Sequence, residues 1–197
     1  MKGYFVGIGI VVGIVLLFVL FYMGSYNGLV SRQEAVNEKW SQIQNDYQRR
    51  SDLIPNLVNT VKGVAKFEQD TLTAVITARS KVGSMQLDKN LLNDPSQFRK
   101  FEEAQGQLSS ALSRLMVVVE KYPELKATAN FSELQSQLEG TENRITVARR
   151  DFNLAVKEYN TALRTVPTNF VAGISGFKER PYFEAVTGSE KAPEVKF

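Results

Sequence analysis

The sequence predicts an all-α protein: a single N-terminal transmembrane helix followed by an antiparallel four-helix bundle of long helices. Three observations predict it. Tyr4 to Met23, YFVGIGIVVGIVLLFVLFYM, runs 20 residues without a charge. Beyond it, apolar residues recur at three-four spacing along four long seams. No period-two alternation calls for a sheet. The division that follows is 1-25 for the anchor, 26-167 for the bundle and 168-197 for a tail containing glycine, proline and aromatics.

The anchor comes first. A helix rises about 1.5 Å per residue, so the run reaches roughly 30 Å, the thickness of a bilayer's hydrocarbon core. It contains no proline, and a helix satisfies its own backbone in lipid. A cleaved signal would carry a shorter apolar stretch and a small-x-small site. This run ends instead in Phe21-Tyr22-Met23-Gly24-Ser25-Tyr26, so retention as an anchor is expected. Lys2 and the amino terminus precede it; behind it Arg32 is the first cation, closely followed by Glu34 and Glu38. The positive-inside rule then expects a cytoplasmic N-terminus and an exported domain. Within the anchor, Gly3-x-x-x-Gly7 and Gly9-x-x-x-Gly13 have the spacing that lets membrane helices approach closely, an expected contact between copies.

Gly24 to Gly28 form a joint, each glycine weakening a continuous helix by about 1 kcal/mol relative to alanine. The first seam is Leu29, Val36, Trp40, Ile43, Tyr47 and Ile54, with Gln33 and Arg50 on the missing rungs. Pro55 disfavours helix at the residue before it, so a break is expected near Ser51 to Ile54. The second seam is Leu57, Val61, Val64, Glu68, Leu72, Val75 and Val82, with Arg79 one turn before Val82. Gly83-Ser84 opens a polar loop to Asn93. Asp94-Pro95 with Gln97 restarts a helix: aspartate caps, proline suits the first helical position, and glutamine reaches back. The third seam is Phe98, Phe101, Leu108, Leu112, Leu115, Val119 and Tyr122, ended by Pro123. Asn130 with Glu133 marks the next start. The fourth seam runs Leu134, Leu138, Thr141, Ile145, Ala148, Phe152, Val156, Tyr159, Leu163 and Val166, and Pro167 stops it. Helices of some 25 to 35 residues joined by short links, with seams repeating near 3.5 residues, predict a left-handed antiparallel bundle.

Composition limits the chemistry. About 170 residues beyond the anchor make one sizeable domain. The net charge of +3 is small and interspersed, without a block of five like charges, so no nucleic-acid partner is expected. The chain has neither histidine nor cysteine. That removes the usual proton shuttle, the commonest metal ligand, zinc sites and cysteine nucleophiles; no cofactor or metal is expected. No Gly-x-Ser-x-Gly, P-loop or dinucleotide fingerprint occurs.

Several stretches resemble the LemA family of bacterial membrane-anchored helical proteins. The most specific are Glu38-Lys39-Trp40-Ser41-Gln42-Ile43 and Arg49-Arg50-Ser51-Asp52-Leu53-Ile54-Pro55-Asn56-Leu57-Val58. Tyr122-Pro123-Glu124-Leu125-Lys126-Ala127, Glu142-Asn143-Arg144-Ile145, Ala148-Arg149 and Tyr159-Asn160 follow, and the tail adds Gly176-Phe177 and Tyr182-Phe183. Lys39 stands where a small residue is common and Phe152 where a tyrosine is common. The resemblance implies a transmembrane segment and long-helix bundle in a bacterial envelope protein; with the flanking charges, the expected location is the inner membrane, with the domain periplasmic or extracytoplasmic. It carries over no catalytic residue, because the family has no agreed enzymatic activity.

The remaining candidates are read structurally. Glu68 and Arg79 on the second seam and Arg50 on the first are expected to be ion-paired groups or seam ends reaching solvent, not an acid-base pair. Glu142, Arg144, Arg149, Arg150 and Asp151 read as a solvated face, and Trp40, Tyr47, Phe152 and Tyr159 as core. Four alternations of direction return Val166-Pro167 to the bilayer end. Phe170, Val171, Ile174, Phe177 and Phe183 are therefore expected to touch the headgroup region or a neighbouring subunit near it, the alternative being that they cap the bottom of the bundle's own core. The expected function is a non-enzymatic membrane scaffold or adaptor acting as a homo-oligomer. Its partners would be the lipid bilayer, copies of itself, or another envelope membrane protein such as a protease. The alternative is a lipid- or small-molecule-binding bundle or accessory sensor subunit; a large apolar cavity would favour it, and a solid core would favour assembly.

Overall fold

The computed structural model describes residues 2–63, 68–85 and 89–184. In chain order they form α1 (Lys2–Lys62), α2 (Gln69–Gly83), a 3-10 turn (Lys89–Asn93), α3 (Pro95–Val119), α4 (Pro123–Lys126), α5 (Ala129–Arg164) and α6 (Thr168–Ser175). No strand occurs among the described residues. The predicted all-α class with one long apolar N-terminal helix is what the structure shows.

Anchor and first bundle helix are a single helix of 61 residues. Its N-terminal part is long and apolar enough to cross a membrane, and it is bare: Leu17, Phe18 and Leu20 are 69%, 63% and 66% exposed. From Leu29 onward the same helix buries its predicted seam through Val61. The glycine joint does not interrupt it. Helix α6 braces the joint from the side, where Tyr22 shares a hydroxyl–hydroxyl hydrogen bond of 3.0 Å with Ser175. The Tyr26 ring lies edge-on to Phe177 at 5.6 Å.

The expected break at Ser51 to Ile54 does not occur, because α1 carries Pro55 inside it. Proline has no N–H to give the carbonyl four residues back, here that of Ser51. Arg79 Nε on α2 donates to that carbonyl at 3.0 Å and supplies the missing bond from outside the helix. Leu57 and Val61 therefore belong to α1, and the second helix holds only Leu72, Val75 and Val82 of its predicted seam. Val64 lies outside the described residues. Glu68 sits at the exposed start of α2, paired with Lys121 at 3.4 Å. The loop expected from Gly83 to Asn93 holds the 3-10 turn at its end.

The starts of α3 and α5 follow cap chemistry. Asp94 accepts from the Ser96 and Gln97 amides at 2.9 and 3.1 Å, with Pro95 in the first turn, as predicted. The α5 start is corrected by two residues: Thr128, not Asn130, caps it, accepting from the Phe131 amide.

Helices α1 and α5 run antiparallel, as Trp40 against Phe152, Asp46 against Arg144 and Arg50 against Glu142 require. Helix α3 runs alongside α1, with Phe101 against Trp40 and Ser109 reached by Arg50. Helix α2 returns along α3, Glu68 facing Lys121 and Lys81 facing Gln107. The expected similar lengths are not found: α2 has 15 residues, α3 25 and α5 36.

The short α2 divides the core in two. The outer half joins Ile54–Val61 of α1 to α2, α4 and the facing parts of α3 and α5. The inner half, nearer the anchor, joins Leu29–Tyr47 to Phe98, Phe101, Ile145–Leu163, Leu91, Leu92, α6 and Phe183. Where α2 stops short, the chain beyond α6 takes its place.

Candidate functional site

The end of the domain nearest the apolar stretch of α1, where α1, α5, α6 and the following segment meet, gathers the unusual features. After Pro167, α6 packs Val171 and Ala172 inward. Gly176 closes α6 at φ 73°, a left-handed conformation that glycine adopts without a Cβ penalty, and the Phe177 amide donates back to Ala172. The chain then reverses and climbs away from the anchor along α5 as an extended strap, residues 177–184.

Two asparagines one heptad apart on α5 read the strap's backbone. Asn160 donates to the Arg180 carbonyl at 2.9 Å and accepts from its amide at 3.0 Å. Asn153 repeats this with Phe183, both bonds at 2.9 Å. The Tyr159 hydroxyl donates to the Lys178 carbonyl, Arg149 donates to that of Glu184, and Arg164 holds Glu179 in a two-point ion pair. A side-chain carboxamide has the same donor and acceptor as a peptide unit, so each asparagine pairs like a neighbouring strand.

The strap's side chains complete the inner core. Phe183 is 6% exposed, 4.8 Å from the Phe98 ring and 5.4 Å from Phe152, with the Arg149 guanidinium 4.5 Å above it. Arg180 is also buried and donates to Asn93 ahead of α3. Burial holds its guanidinium below the usual range, partly offset by neighbouring Tyr159, whose own hydroxyl burial pushes up. Glu102 accepts from Arg149 at 3.3 Å and from the Glu184 amide at 3.0 Å, yet burial still raises its pKa.

A second polar cluster separates the two core halves. Buried Arg50 donates to Glu142 at 2.8 Å, to Ser109 at 2.9 Å and to Gln105, with its guanidinium 5.1 Å from the Tyr47 ring. Burial pushes the Tyr47 hydroxyl up to about 12, beyond what Arg149 and Arg50 pull back. The terminal nitrogens of Arg50 are held by fixed partners from α3 and α5, which suits register rather than proton transfer.

The predicted site residues divide accordingly. Gly7, Gly9 and Gly13 lie in the bare stretch of α1, and Gly3 lies in its first turn. Phe170 and Ile174 are 66% and 75% exposed on α6. Phe177 is half-buried, while Val171 and Phe183 are buried in the domain itself. Phe183 is thus corrected: the strap carries it outward to Trp40, away from the anchor end. The solvated face expected at Glu142 to Asp151 is corrected in part. Glu142, Arg144 and Arg149 bond to Arg50, Asp46 and Glu102, and Arg150 and Asp151 pair with each other near the surface. Trp40, Tyr47, Phe152 and Tyr159 are core. No group of three or more Asp or Glu that could hold a metal ion occurs among the described residues. A groove of about 590 Å³ runs between α1 and α5, lined by Gly24, Gly28, Arg32, Lys157, Glu158 and Thr165. Sequence reasoning missed the strap, whose signals were Asn153 and Asn160.

The fold and its fittings define a class: a long-helix domain continuous with one helix that is apolar enough to cross a membrane, closed by a C-terminal strap. The chain belongs to the LemA family, whose model matches residues 39–197. It is similar to magnetosome protein MamQ 2 of Paramagnetospirillum magneticum, 31% identical over 186 residues, covering 86% of this chain and 68% of that protein. MamQ of Magnetospirillum gryphiswaldense is 30% identical over 174 residues, covering 80% and 64%. Protein LemA of Metamycoplasma hominis is 27% identical over 156 residues, covering 79% and 67%.

Proposed function

We propose that this protein is a non-enzymatic scaffold or adaptor of the bacterial cell envelope, anchored in the inner membrane and acting as a homo-oligomer with its domain outside the cytoplasm. The observation that carries the reading is the continuity of α1. A bare apolar stretch passes without interruption into the buried seam of the domain, so anchor and domain move as one body. From Leu29 to Val61 that helix stands about 50 Å tall. Such a post is suited to presenting a surface at a fixed height. The aromatic filling of the inner core favours assembly over an internal ligand, and the names of the family and its relatives state no reaction. Partners on this reading are the bilayer, further copies, and another envelope membrane protein such as a protease.

Self-association through the anchor has a clean test. At about 100° per residue Gly9 and Gly13 lie within about 40° of each other on one side of α1, whereas Gly3 and Gly7 lie on another. A Cβ added at Gly7, Gly9 or Gly13 meets nothing within 4 Å in the protomer. Leucine there is silent for the single chain, so any effect reports a neighbour. Light scattering of the full-length protein in mild detergent is expected to give an oligomer, and Gly9→Leu with Gly13→Leu to lower its mass. A monomer before substitution would overturn the proposal.

A further inference from the structure

The large apolar side chains most exposed on the domain include three that cluster beside the anchor. Val166, Phe170 and Ile174 follow one another at four-residue spacing across the turn into α6, and each is about two-thirds exposed or more: 68%, 66% and 75%. Val171 and Ala172 on the opposite side of α6 are 3% and 4% exposed, so the helix is amphipathic with its inner face already satisfied. The depth of α6 is fixed by two contacts. Ser175 bonds to Tyr22, which lies within the last turn of the apolar run, and Phe177 meets Tyr26 one turn beyond it. The outer face of α6 therefore continues the bare apolar surface of α1, where Phe21 and Met23 are 39% and 55% exposed.

We propose that Val166, Phe170 and Ile174 seat in the headgroup layer of the same bilayer that α1 enters, giving the domain a second membrane contact and fixing its orientation. This rests on reading α1 as a membrane anchor. Lipid suits the patch better than a second copy. Three side chains fall far short of the roughly 20–30 residues a side that a stable protein interface uses. A short amphipathic helix with Phe and Ile outward, followed by exposed Lys178, has interfacial composition. Glu179, the nearby carboxylate, is neutralised by Arg164 at 2.6 Å and does not repel phosphate. The tyrosines at 22 and 26 occupy the depth at which aromatic belts form. With α1 alone, the domain would turn about its own axis; a foot to one side of that axis sets which face meets the membrane.

The test is depth-resolved fluorescence of the full chain in vesicles of phosphatidylcholine and phosphatidylglycerol with quenchers on the acyl chains. Trp40, the only tryptophan, is buried about 25 Å beyond the anchor's end and supplies a constant background. Phe170→Trp and Ile174→Trp replace exposed side chains, and Leu16→Trp marks the anchor. The tryptophans at 170 and 174 are expected to lose more emission to a label near the headgroup than to one near the chain end. The tryptophan at 16 is expected to show the reverse. Unquenched 170 and 174 beside a quenched 16 would overturn this proposal and leave the anchor standing. An unquenched 16 would overturn the anchor reading and this one with it. Tryptophans at 170 and 174 shielded from both lipid labels and aqueous iodide would assign the face to a second copy and also overturn it.

Discussion

Pro55 shows how one residue's defect is met by another far along the chain. In a helix its missing N–H leaves the Ser51 carbonyl without a partner, and an unpaired, partly buried carbonyl costs about 1–3 kcal/mol. Arg79 answers from α2, 28 residues later, with a charged donor at 3.0 Å. The two residues should therefore be coupled. Arg79→Met in the native chain should destabilise by about 1.5–3 kcal/mol, the range for a hydrogen bond from a charged group. In a Pro55→Ala background the restored N–H satisfies Ser51, and the same change should cost clearly less. Denaturant melts of the four chains measure the coupling; equal costs in both backgrounds would show that Arg79 does not serve that carbonyl. Arg50 is a different case, since its guanidinium is enclosed between the two core halves while its partner Glu142 remains half exposed. Its worth lies in fixing where α1, α3 and α5 meet.

Among the elements, the strap contributes more than its eight residues suggest, because it stands where a helix is missing. Phe183→Ala should cost about 3–5 kcal/mol as a buried aromatic truncation, whereas Phe170→Ala, at an exposed position, should stay within about 0.5 kcal/mol. Asn160→Ala leaves the Arg180 amide and carbonyl buried without partners and should cost about 1–3 kcal/mol for each group. Thermal unfolding of the three variants checks this ordering; an unchanged melt for Phe183→Ala would remove the strap from the core. The long elements were legible in the sequence because α1, α3 and α5 repeat a buried residue every turn, and Leu138, Ile145 and Phe152 lie where that periodicity puts them. The strap was not legible, because an extended segment held by side-chain-to-backbone bonds has no period. Of its buried residues only Phe183 and Arg180 leave a mark, and neither says which groove receives it. The expected break at Pro55 failed for a related reason. Local chemistry identifies the unpaired carbonyl, but only the tertiary fold supplies Arg79.

At the scale of the whole molecule, what matters is which side of the membrane the post stands on. The charges flanking the anchor favour one answer. Lys2 precedes it; behind it come Arg32, Glu34 and Glu38, so the net positive flank is the N-terminal one. Arg32 is also tied to the helix, donating to the Gly28 carbonyl at 3.0 Å. Charge on the side that stays in the cytoplasm opposes translocation, so the domain is expected to be exported. The far end of the post gives the reporter. Ser136 is exposed near the start of α5, opposite the Pro55 region of α1 in the register set by Arg50 and Glu142, and about 50 Å along α1 from the end of the apolar run. The chain contains no cysteine, so Ser136→Cys introduces a single thiol. In intact cells with a permeable outer wall, a membrane-impermeant thiol reagent should label it fully, with no gain on lysis. Labelling only after lysis would place the domain, and every partner it meets, in the cytoplasm.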